Sequence, residues 1–301
     1  MRILFFLFFT SLLFSGADYI DYEDTYDSEA FYNVHIPNVP ERNTSTSRLE
    51  QLNEKIRKLE AKIHQVENGT WTPALQRKII YLTFDDGPLQ GTKNVLSVLE
   101  EEKVPATFFF VGKHIEKDKE LFHKVKASPY TLVANHTYSH ANGHYRQFYQ
   151  NPNWVVKDIE KAGEFIEGRY QRLAGRNVWR LPSYRCNDHA LKPHICKQEI
   201  PCYDKVENMG YYIFGWDLEW EYNRKTGRAL WDAKRIFKRI VSYHRYKHTA
   251  EKGKVILLVH DFMFRGSTDR KQELQDLVIL LKCDGWQFDS INHYIDMDKE
   301  I

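Results

Sequence analysis

The chain has 301 residues, which is enough for one large domain with an appended segment or for two small domains. Charged residues make up 28% of the chain and the formal net charge is +2, so no strong electrostatic field favours nucleic acid as a partner. Aromatic residues make up 14%, a composition that suits either a sugar-stacking groove or an aromatic-rich core.

The N-terminal segment 1–17 predicts export. Arg2 precedes a mostly apolar run that ends at Phe14, and small residues up to Ala17 come before Asp18. This pattern is typical of a signal peptide cleaved after Ala17, because the run is too short to span a bilayer comfortably. An uncleaved N-terminal anchor is the alternative. The expected location is therefore secreted or periplasmic, with no stable membrane span after cleavage.

Two further segments precede the main domain. Residues 18–46 are rich in acidic side chains and show no period, which predicts a flexible tail. Residues 47–68 carry a short heptad pattern formed by Leu49, Leu52, Ile56, Leu59, Ile63 and Val66. The pattern predicts either a parallel two-stranded coiled coil, giving a homodimer through residues 49–66, or an amphipathic helix packed on its own domain.

From residue 77 to residue 298, short apolar runs alternate with stretches of helical period. Strands are predicted at 79–84, 107–112, 131–136, 177–181, 211–215, 254–260 and 286–291. Helices are predicted at 92–102, at 113–126, from about 154 through 173, at 229–246 and around 274–281. This alternation predicts parallel pairing in a barrel or an open α/β sheet, with the chemistry at the carboxyl ends of the strands.

Ionisable side chains follow five of these strands at that same end. They are Asp85 and Asp86, His136 and His140, Arg180, Asp217 and Glu219, and His260. A lone histidine or an isolated Asp-Asp turn is more often a satisfied polar group, but five strands sharing this feature indicate one site. If the chain turns helical after the third strand, His136 and His140 can hold one ion, completed by one of the adjacent carboxylates. The other carboxylate would point away and act as a base.

The four cysteines, Cys186, Cys196, Cys202 and Cys283, are an even number in a chain predicted to be exported, which favours disulfides. We expect one bridge inside the segment 185–203, which is predicted to be a loop. A second bridge could tie this loop to Cys283, and the loop could wall a substrate groove.

Taken in order, these polar segments resemble the motifs of a known family. The segments are Thr83-Phe84-Asp85-Asp86-Gly87-Pro88, His136-Thr137-Tyr138-Ser139-His140, Arg180-x-Pro182, Trp216-Asp217 and Leu258-x-His260. They are similar to the five ordered motifs of the NodB-type polysaccharide deacetylases, carbohydrate esterase family 4, across residues 77–298. The resemblance implies an α/β fold, a distorted (β/α)7 barrel here preceded by the short N-terminal helix. It also implies one divalent metal ion, usually zinc, and removal of N-acetyl or less often O-acetyl groups from a glycan.

The resemblance also implies a role for each residue at a motif position. The metal ligands would be Asp86, His136 and His140. Asp85 would take a proton from the attacking water, and Arg180 would pair with Asp85. His260 would protonate the leaving amine.

Two departures from the family pattern leave roles open. Ser183 follows Pro182 where the pattern has an aromatic residue, and Asp217 and Glu219 stand two positions apart instead of three. Either acid could orient His260, and Asp217 is preferred because a strand-end Asp is short and stiff. Contacts with the substrate are expected from Pro182, Trp220 and Leu258.

The expected function is secreted, metal-dependent N-deacetylation of a polymer containing N-acetylglucosamine, such as peptidoglycan, chitin or an exopolysaccharide. The alternative is hydrolysis of acetyl esters on xylan or a related glycan. A cell-surface interaction protein with an inactive glycan-binding barrel would be favoured if a ligand or Asp85 were missing, and none is missing.

Overall fold

The computed structural model describes residues 54, 57, 78–246, 248–266 and 268–295. The predicted signal peptide and acidic tail lie outside these ranges, as does the heptad segment apart from two isolated positions. Export and dimerisation through residues 49–66 therefore stay predictions. Within the described ranges, no helix combines the length and the apolar character needed to cross a bilayer.

Helices and short strands alternate along the described chain, as the sequence predicts. The helices are α1 (Thr92–Glu102), α2 (Gly112–Lys117), α3 (Lys119–Ala127), α4 (Tyr145–Phe148), α5 (Pro152–Gly163), α6 (Pro193–Asn208), α7 (Ala233–Tyr246) and α8 (Thr268–Cys283). The strands are β1 (Ile79–Asp85), β2 (Ala106–Phe110), β3 (Thr131–Asn135), β4 (Tyr170–Gln171), β5 (Trp179–Arg180), β6 (Arg185–Cys186), β7 (Tyr212–Ile213), β8 (Leu218–Glu219), β9 (Lys254–His260) and β10 (Gln287–Phe288). Short 3₁₀ helices cover His140–Gly143, Asp261–Phe264 and Ile291–His293.

These elements group into two compact units, and the first contains residues 78–108, 120–133 and the described residues from 216 onward. Its strand order is β3-β2-β1-β9-β8, and β10 also pairs with β1. The apolar runs 80–84 and 255–259 are buried throughout, as expected for central parallel strands. The parallel register of β1 and β9 places Asp85 beside His260 at the carboxyl ends of both strands.

The second unit contains Phe109–Lys119 and Ala134–Gly215. Its strand order is β6-β5-β7-β4-β3-β2. Strand β4 pairs in parallel with β3 and β7, whereas β5 runs antiparallel to β6 and β7. Helices α5 and α6 pack against each other, with Val155 and Ile159 of α5 in one buried cluster with Tyr203 and Val206 of α6.

Predictions for this second unit are partly wrong. The helix predicted from residue 154 through 173 ends at Gly163. Ile166 and Leu173 continue its apolar spacing because both are buried, although neither is helical. The strand predicted at 177–181 shrinks to the two residues of β5, and β4 was not predicted.

The prediction that 185–203 is a loop is also wrong, because this segment contains most of α6. Pro193 stands in the first helical turn, where its missing N–H costs nothing. Pro201 lies inside the helix, and prolines at both places made the segment read as a loop.

The predicted disulfides are not formed, because all four cysteines are free thiols. Cys196 and Cys202 lie on the same helix, and residues six positions apart do not share a helix face. Cys202 is buried, with its Sγ 2.7 Å from the carbonyl oxygen of Tyr149. Cys186 on β6 has its Sγ 3.0 Å from Nε2 of His189.

Candidate metal centre and active site

The two acids at the end of β1 differ in backbone conformation. Asp85 is the last residue of the strand and is 3% exposed. Asp86 has a φ of 75°, in the left-handed region that Asp and Asn tolerate better than most other residues. Non-glycine residues held in this region concentrate at functional sites, where the surrounding structure enforces them. The change of backbone hand allows two adjacent carboxylates to take separate roles.

His136 follows β3 and is oriented by a backbone carbonyl. Its Nδ1 lies 2.9 Å from the carbonyl oxygen of Arg172, and the side chain is buried. A carbonyl can only accept, so Nδ1 carries the proton and Nε2 presents its lone pair. Such a hydrogen bond to the far nitrogen is typical of histidines that bind metals.

His140 reaches the same region by an irregular path. The predicted helical turn between the two histidines is not formed, because Thr137 and His140 have φ angles of 66° and 52°. Nδ1 of His140 lies 3.3 Å from the hydroxyl of Tyr145. A left-handed backbone, rather than the predicted helical turn, therefore brings His140 to the region of His136.

Asp158 on α5 holds the segment between the two histidines. Its Oδ2 accepts hydrogen bonds from the N–H groups of Tyr138 and Ser139, each at 2.9 Å. The Oδ1 of Asn135 accepts from the N–H of Thr137 at 2.8 Å. These bonds fix an unusual backbone, and so fix the positions of the imidazoles that it carries.

Asp86, His136 and His140 form a group that could hold one metal ion. Each offers one ligand atom, and these three atoms lie within 4.8 Å of one another. Ligand bonds of about 2.0–2.2 Å to a shared ion require such a spacing. Two imidazoles and one carboxylate suit a divalent transition metal with open coordination positions. The residues present therefore fit a divalent ion.

His260 stands beside the acids of β1. The register pairs it with Asp85, and its Nε2 lies 3.8 Å from Oδ2 of Asp86. The rings of Tyr222 and Phe262 lie 5.0 and 5.4 Å from its imidazole centroid. A titratable imidazole thus stands between two acids and two aromatic side chains, where it could donate a proton.

Glu219 on β8 is the acid that interacts with His260. Burial raises the pKa of Glu219 above its usual value, and the charges of Glu221 and Asp85 raise it further. The opposite charge of a protonated His260 lowers the pKa of Glu219. The two side chains are therefore electrostatically coupled.

Asp217, which the sequence favours as the acid that orients His260, instead accepts hydrogen bonds from backbone N–H groups. Its Oδ1 accepts a hydrogen bond from the N–H of Ala250 and its Oδ2 one from the N–H of Ile256, both at 2.7 Å. Both oxygens thus tie the chain before β8 to the chain around the start of β9. The preference for Asp217 over Glu219 is wrong, because its carboxylate serves the backbone.

Comparison with known proteins shows similarity to polysaccharide deacetylases. Residues 72–193 match the family model described as polysaccharide deacetylase. Over this segment the chain is similar to polysaccharide deacetylases. It is 24% identical over 303 aligned positions to a chitin disaccharide deacetylase of Vibrio alginolyticus, covering 71% of each chain. It is 25% identical over 227 positions to a peptidoglycan-N-acetylglucosamine deacetylase of Bacillus cereus, covering 72% of this chain and 74% of the relative.

The fold is shared with a solved deacetylase domain. The catalytic domain of a peptidoglycan N-acetylglucosamine deacetylase from Eubacterium rectale aligns with a TM-score of 0.52 and 21% identity. The alignment covers 75% of this chain and 93% of that domain. The predicted fold class, a (β/α)7 barrel of the polysaccharide deacetylase type, is confirmed.

Arg180 does not stand where the family pattern predicts. Its Nε lies 3.1 Å from Oδ1 of Asp204, and its Nη2 donates to Oδ1 of Asn187 at 2.8 Å. Its Nη1 donates to two backbone carbonyls. The predicted Arg180–Asp85 pair is wrong, because β5 carries the guanidinium to α6 and to the turn after β6.

Arg172 is a buried arginine that the sequence analysis missed. Its Nε and Nη2 donate to the carbonyls of Phe214 and Gly215 at 3.2 and 2.9 Å. Its guanidinium lies 4.1 Å from the ring centroid of Phe109, and its own carbonyl accepts from His136. Arg172 therefore holds the backbone that orients His136. Nothing in its sequence surroundings distinguishes it from a surface arginine.

The three predicted substrate contacts have different outcomes. Trp220 is fully buried, and its Nε1 donates to the carbonyl of Trp231 at 2.8 Å, so it is a core residue. Leu258 is also buried, inside β9. The prediction for Trp220 is wrong, because alternation along the two-residue strand β8 does not reveal which side faces solvent. Burial does not exclude a contact with a substrate, so the contact of Leu258 stays a prediction. Pro182 is exposed, and its contact with a substrate stays a prediction.

Asp261 is a second acid that the sequence analysis left without a role. It is fully buried, and its Oδ2 accepts a hydrogen bond from the hydroxyl of Thr92. Burial raises its pKa to about 7, and the charge of Asp86 adds to this shift. Gly91 permits the approach, because a Cβ there would lie 1.7 Å from the carbonyl oxygen of Asp261. A buried acid that prefers its proton thus lies directly after His260.

Proposed function

We propose that this protein hydrolyses N-acetyl groups of a glycan that contains N-acetylglucosamine, using a divalent metal ion. The observation that carries the proposal is the joint position of Asp85, Asp86 and His260 at the ends of β1 and β9. Asp86 is also one of three residues whose ligand atoms converge. Relatives named as deacetylases of a chitin disaccharide and of N-acetylglucosamine in peptidoglycan support this substrate class.

The ion would be held by Asp86, His136 and His140. When bound, a divalent ion supplies a Lewis acid that lowers the pKa of water to about 7 and polarises a carbonyl. The carboxylate of Asp85 is then the base that accepts the proton from the attacking water. Asp85 ends β1 directly before Asp86 in the chain, so its carboxylate would be close to water held by the ion.

His260 is the proton donor for the leaving amine. An amine is a poor leaving group until it is protonated, so amide hydrolysis needs an acid at that atom. The parallel register places His260 across from Asp85, so one group removes a proton and the other supplies one. Glu219 is electrostatically coupled to this imidazole, because the charge of His260 lowers the pKa of the Glu219 carboxyl.

Acetate release tests the proposal directly. The substrates are chitin oligomers, peptidoglycan and poly-N-acetylglucosamine, each with the metal-loaded protein and with the protein in excess chelator. We expect acetate only from the loaded protein. Asp85→Asn should lower kcat by about 100- to 10,000-fold, because general base catalysis contributes that much.

A matched control is Lys124→Gln on α3, an exposed residue outside the site, which should keep full activity. An aryl acetate measures ester hydrolysis beside amide hydrolysis. Loaded protein that releases no acetate from any of the three glycans would contradict the proposal, and so would an Asp85→Asn variant of unchanged kcat.

A further inference from the structure

A cavity of about 330 Å³ opens beside His140, within the unit that carries both histidines. Its lining includes Ser139, Asn142, Phe148, Trp154, Lys157 and Lys161. Ser139 and Asn142 stand one and two positions from His140 in the chain, and consecutive Cα atoms are about 3.8 Å apart. A sugar in this cavity would therefore neighbour a sugar bound at His140.

One face of α5 forms the wall of the cavity. Trp154, Lys157 and Lys161 follow one another at steps of three and four, so they share a helix face. Val155 and Ile159 occupy the opposite, buried face. Trp154 is 56% exposed, which is unusual for so large an apolar side chain. A flat indole at the rim of a cavity suits the apolar face of a pyranose ring.

The charge of the cavity is positive. Within the described ranges, Lys157 forms no ion pair. The Nζ of Lys161 lies 3.6 Å from the ring centroid of Tyr138, which holds that lysine in place. Lys113 donates to Oδ1 of Asn142 at 2.5 Å, which adds a third cation at the rim.

Three carboxylates lie near these lysines, and two of them already have partners. Asp158 lines the cavity, but its Oδ2 accepts from two backbone N–H groups. Glu116 accepts from the hydroxyl of Tyr138 at 2.6 Å. Glu164 acts on Lys161 from the end of α5. None of the three pairs with Lys157, so an anion in the cavity would find a lysine without a partner.

We propose that this cavity binds an anionic sugar residue next to the acetylated sugar. The pyranose ring lies against Trp154, and its acidic group lies between Lys157 and Lys161. The inference rests on the proposed deacetylase function and narrows the substrate to glycans in which an acidic sugar adjoins N-acetylglucosamine.

Kinetics with two tetrasaccharides of equal length tests the inference. One alternates N-acetylglucosamine with N-acetylmuramic acid and is anionic, and the other is neutral chitotetraose. In the double variant Lys157→Gln/Lys161→Gln, the KM for the anionic substrate should rise about tenfold more than the KM for the neutral one. Trp154→Ala should raise the KM for both substrates. A tetrasaccharide that alternates N-acetylglucosamine with glucuronic acid shows whether any carboxylate on the adjacent sugar suffices.

A matched control is Lys234→Gln/Lys238→Gln, which removes two exposed lysines at the same spacing from α7. It should leave both KM values unchanged. If the Lys157→Gln/Lys161→Gln variant matches this control on the anionic substrate, or changes both KM values equally, the inference is overturned while the deacetylase function stands.

Binding measurements test the cavity separately from the deacetylase function. Titration of each tetrasaccharide into the protein, followed by tryptophan fluorescence, does not need turnover. Stronger binding of the anionic tetrasaccharide by the wild type, lost in the lysine variant, supports the cavity even if no acetate is released. Equal binding of both tetrasaccharides by the wild type overturns it.

Discussion

At the residue scale, the two acids on either side of Leu218 have different roles. Glu219 acts on the imidazole through its charge, whereas Asp217 gives both oxygens to backbone N–H groups. Glu219→Gln removes a carboxyl group that is electrostatically coupled to the imidazole of His260. We expect the alkaline limb of the kcat/KM profile to move to lower pH, by about 0.5 to 1 unit.

Asp217→Asn is the comparison for this prediction. In this variant an amide NH2 group, which donates, replaces one of the two oxygens that accept hydrogen bonds from backbone N–H groups. The free energy of unfolding should therefore fall by about 1–3 kcal/mol. The alkaline limb of its pH profile should stay in place. A shift in Asp217→Asn with none in Glu219→Gln would reverse the assignment.

Asp261 makes stability depend on pH. Its pKa is about 7 in the folded protein against a usual value of 3.8, so the folded state holds the proton more strongly than the unfolded state. Stability is therefore lost as the pH rises from about 4 to about 7. Asp261→Asn removes the ionisation while its side-chain oxygen still accepts from Thr92. Above pH 7 we expect the variant to be more stable than the wild type, by about 2–4 kcal/mol.

Urea unfolding at pH 5 and pH 8, with chelator present throughout, measures this effect. The gain in the free energy of unfolding should be small at pH 5 and full at pH 8. Equal differences at the two pH values would show that the carboxyl group does not titrate as described.

At the scale of elements, α6 is tied to the turn after β4 by a buried ion pair. Nε and Nη2 of Arg176 contact Oε2 and Oε1 of Glu199 at 2.6 and 2.8 Å, and the two side chains are 2% and 1% exposed. The hydroxyl of Tyr203 donates to the same carboxylate. Glu199→Ala would leave a buried guanidinium without its counter-ion, which costs about 3–5 kcal/mol of unfolding free energy.

Arg185→Gln provides the exposed counterpart. Arg185 pairs with Glu207 and Asp204 near solvent, and such pairs contribute about 0–1 kcal/mol. Urea unfolding should therefore show a larger loss of unfolding free energy in Glu199→Ala than in Arg185→Gln. Similar losses in the two would show that burial of the Arg176–Glu199 pair does not set its contribution.

The elements that the sequence predicts well are long and apolar. Strand β9 and helix α1 have the predicted bounds, and β1 is one residue longer than predicted, because continuous burial or a strong period marks them. Two-residue strands such as β4 and β5 have no period to read. Buried residues outside helices, such as Ile166, extend a helical pattern past its true end.

The residues of the candidate site also divide into those that the sequence predicts and those that it does not. Asp86, His136 and His140 were predictable, because ligand residue types at strand ends leave a clear pattern in the sequence. The partners of Arg180 and the choice between Asp217 and Glu219 were not, because they depend on backbone groups brought together by the fold. Arg172 and Asp158 act through backbone hydrogen bonds, which no residue pattern records.

At the scale of the whole molecule, a bound ion should stabilise the fold. A ligand that binds only the folded state stabilises it by RT ln(1 + [L]/Kd), which is about 2.7 kcal/mol at 100 times Kd. Adding Zn²⁺ to chelator-treated protein should raise the Tm by several degrees. His136→Ala and His140→Ala should lose this response.

Calorimetry with Zn²⁺, Mn²⁺ and Mg²⁺ ranks the ions, and nitrogen ligands favour Zn²⁺ over Mn²⁺ and Mg²⁺. The Lys124→Gln protein should respond as the wild type does. A Tm of the His136→Ala protein that rises with Zn²⁺ as much as that of the wild type would place the ion elsewhere.

The left-handed backbone at Asp86 decides which substitutions can trap a bound glycan. Asparagine adopts that conformation about as easily as aspartate, whereas alanine or a branched side chain would strain the chain path. Asp86→Asn therefore weakens ion capture with the loop geometry preserved. A crystal soaked with an oligosaccharide would then display an uncleaved acetamide in its reactive pose.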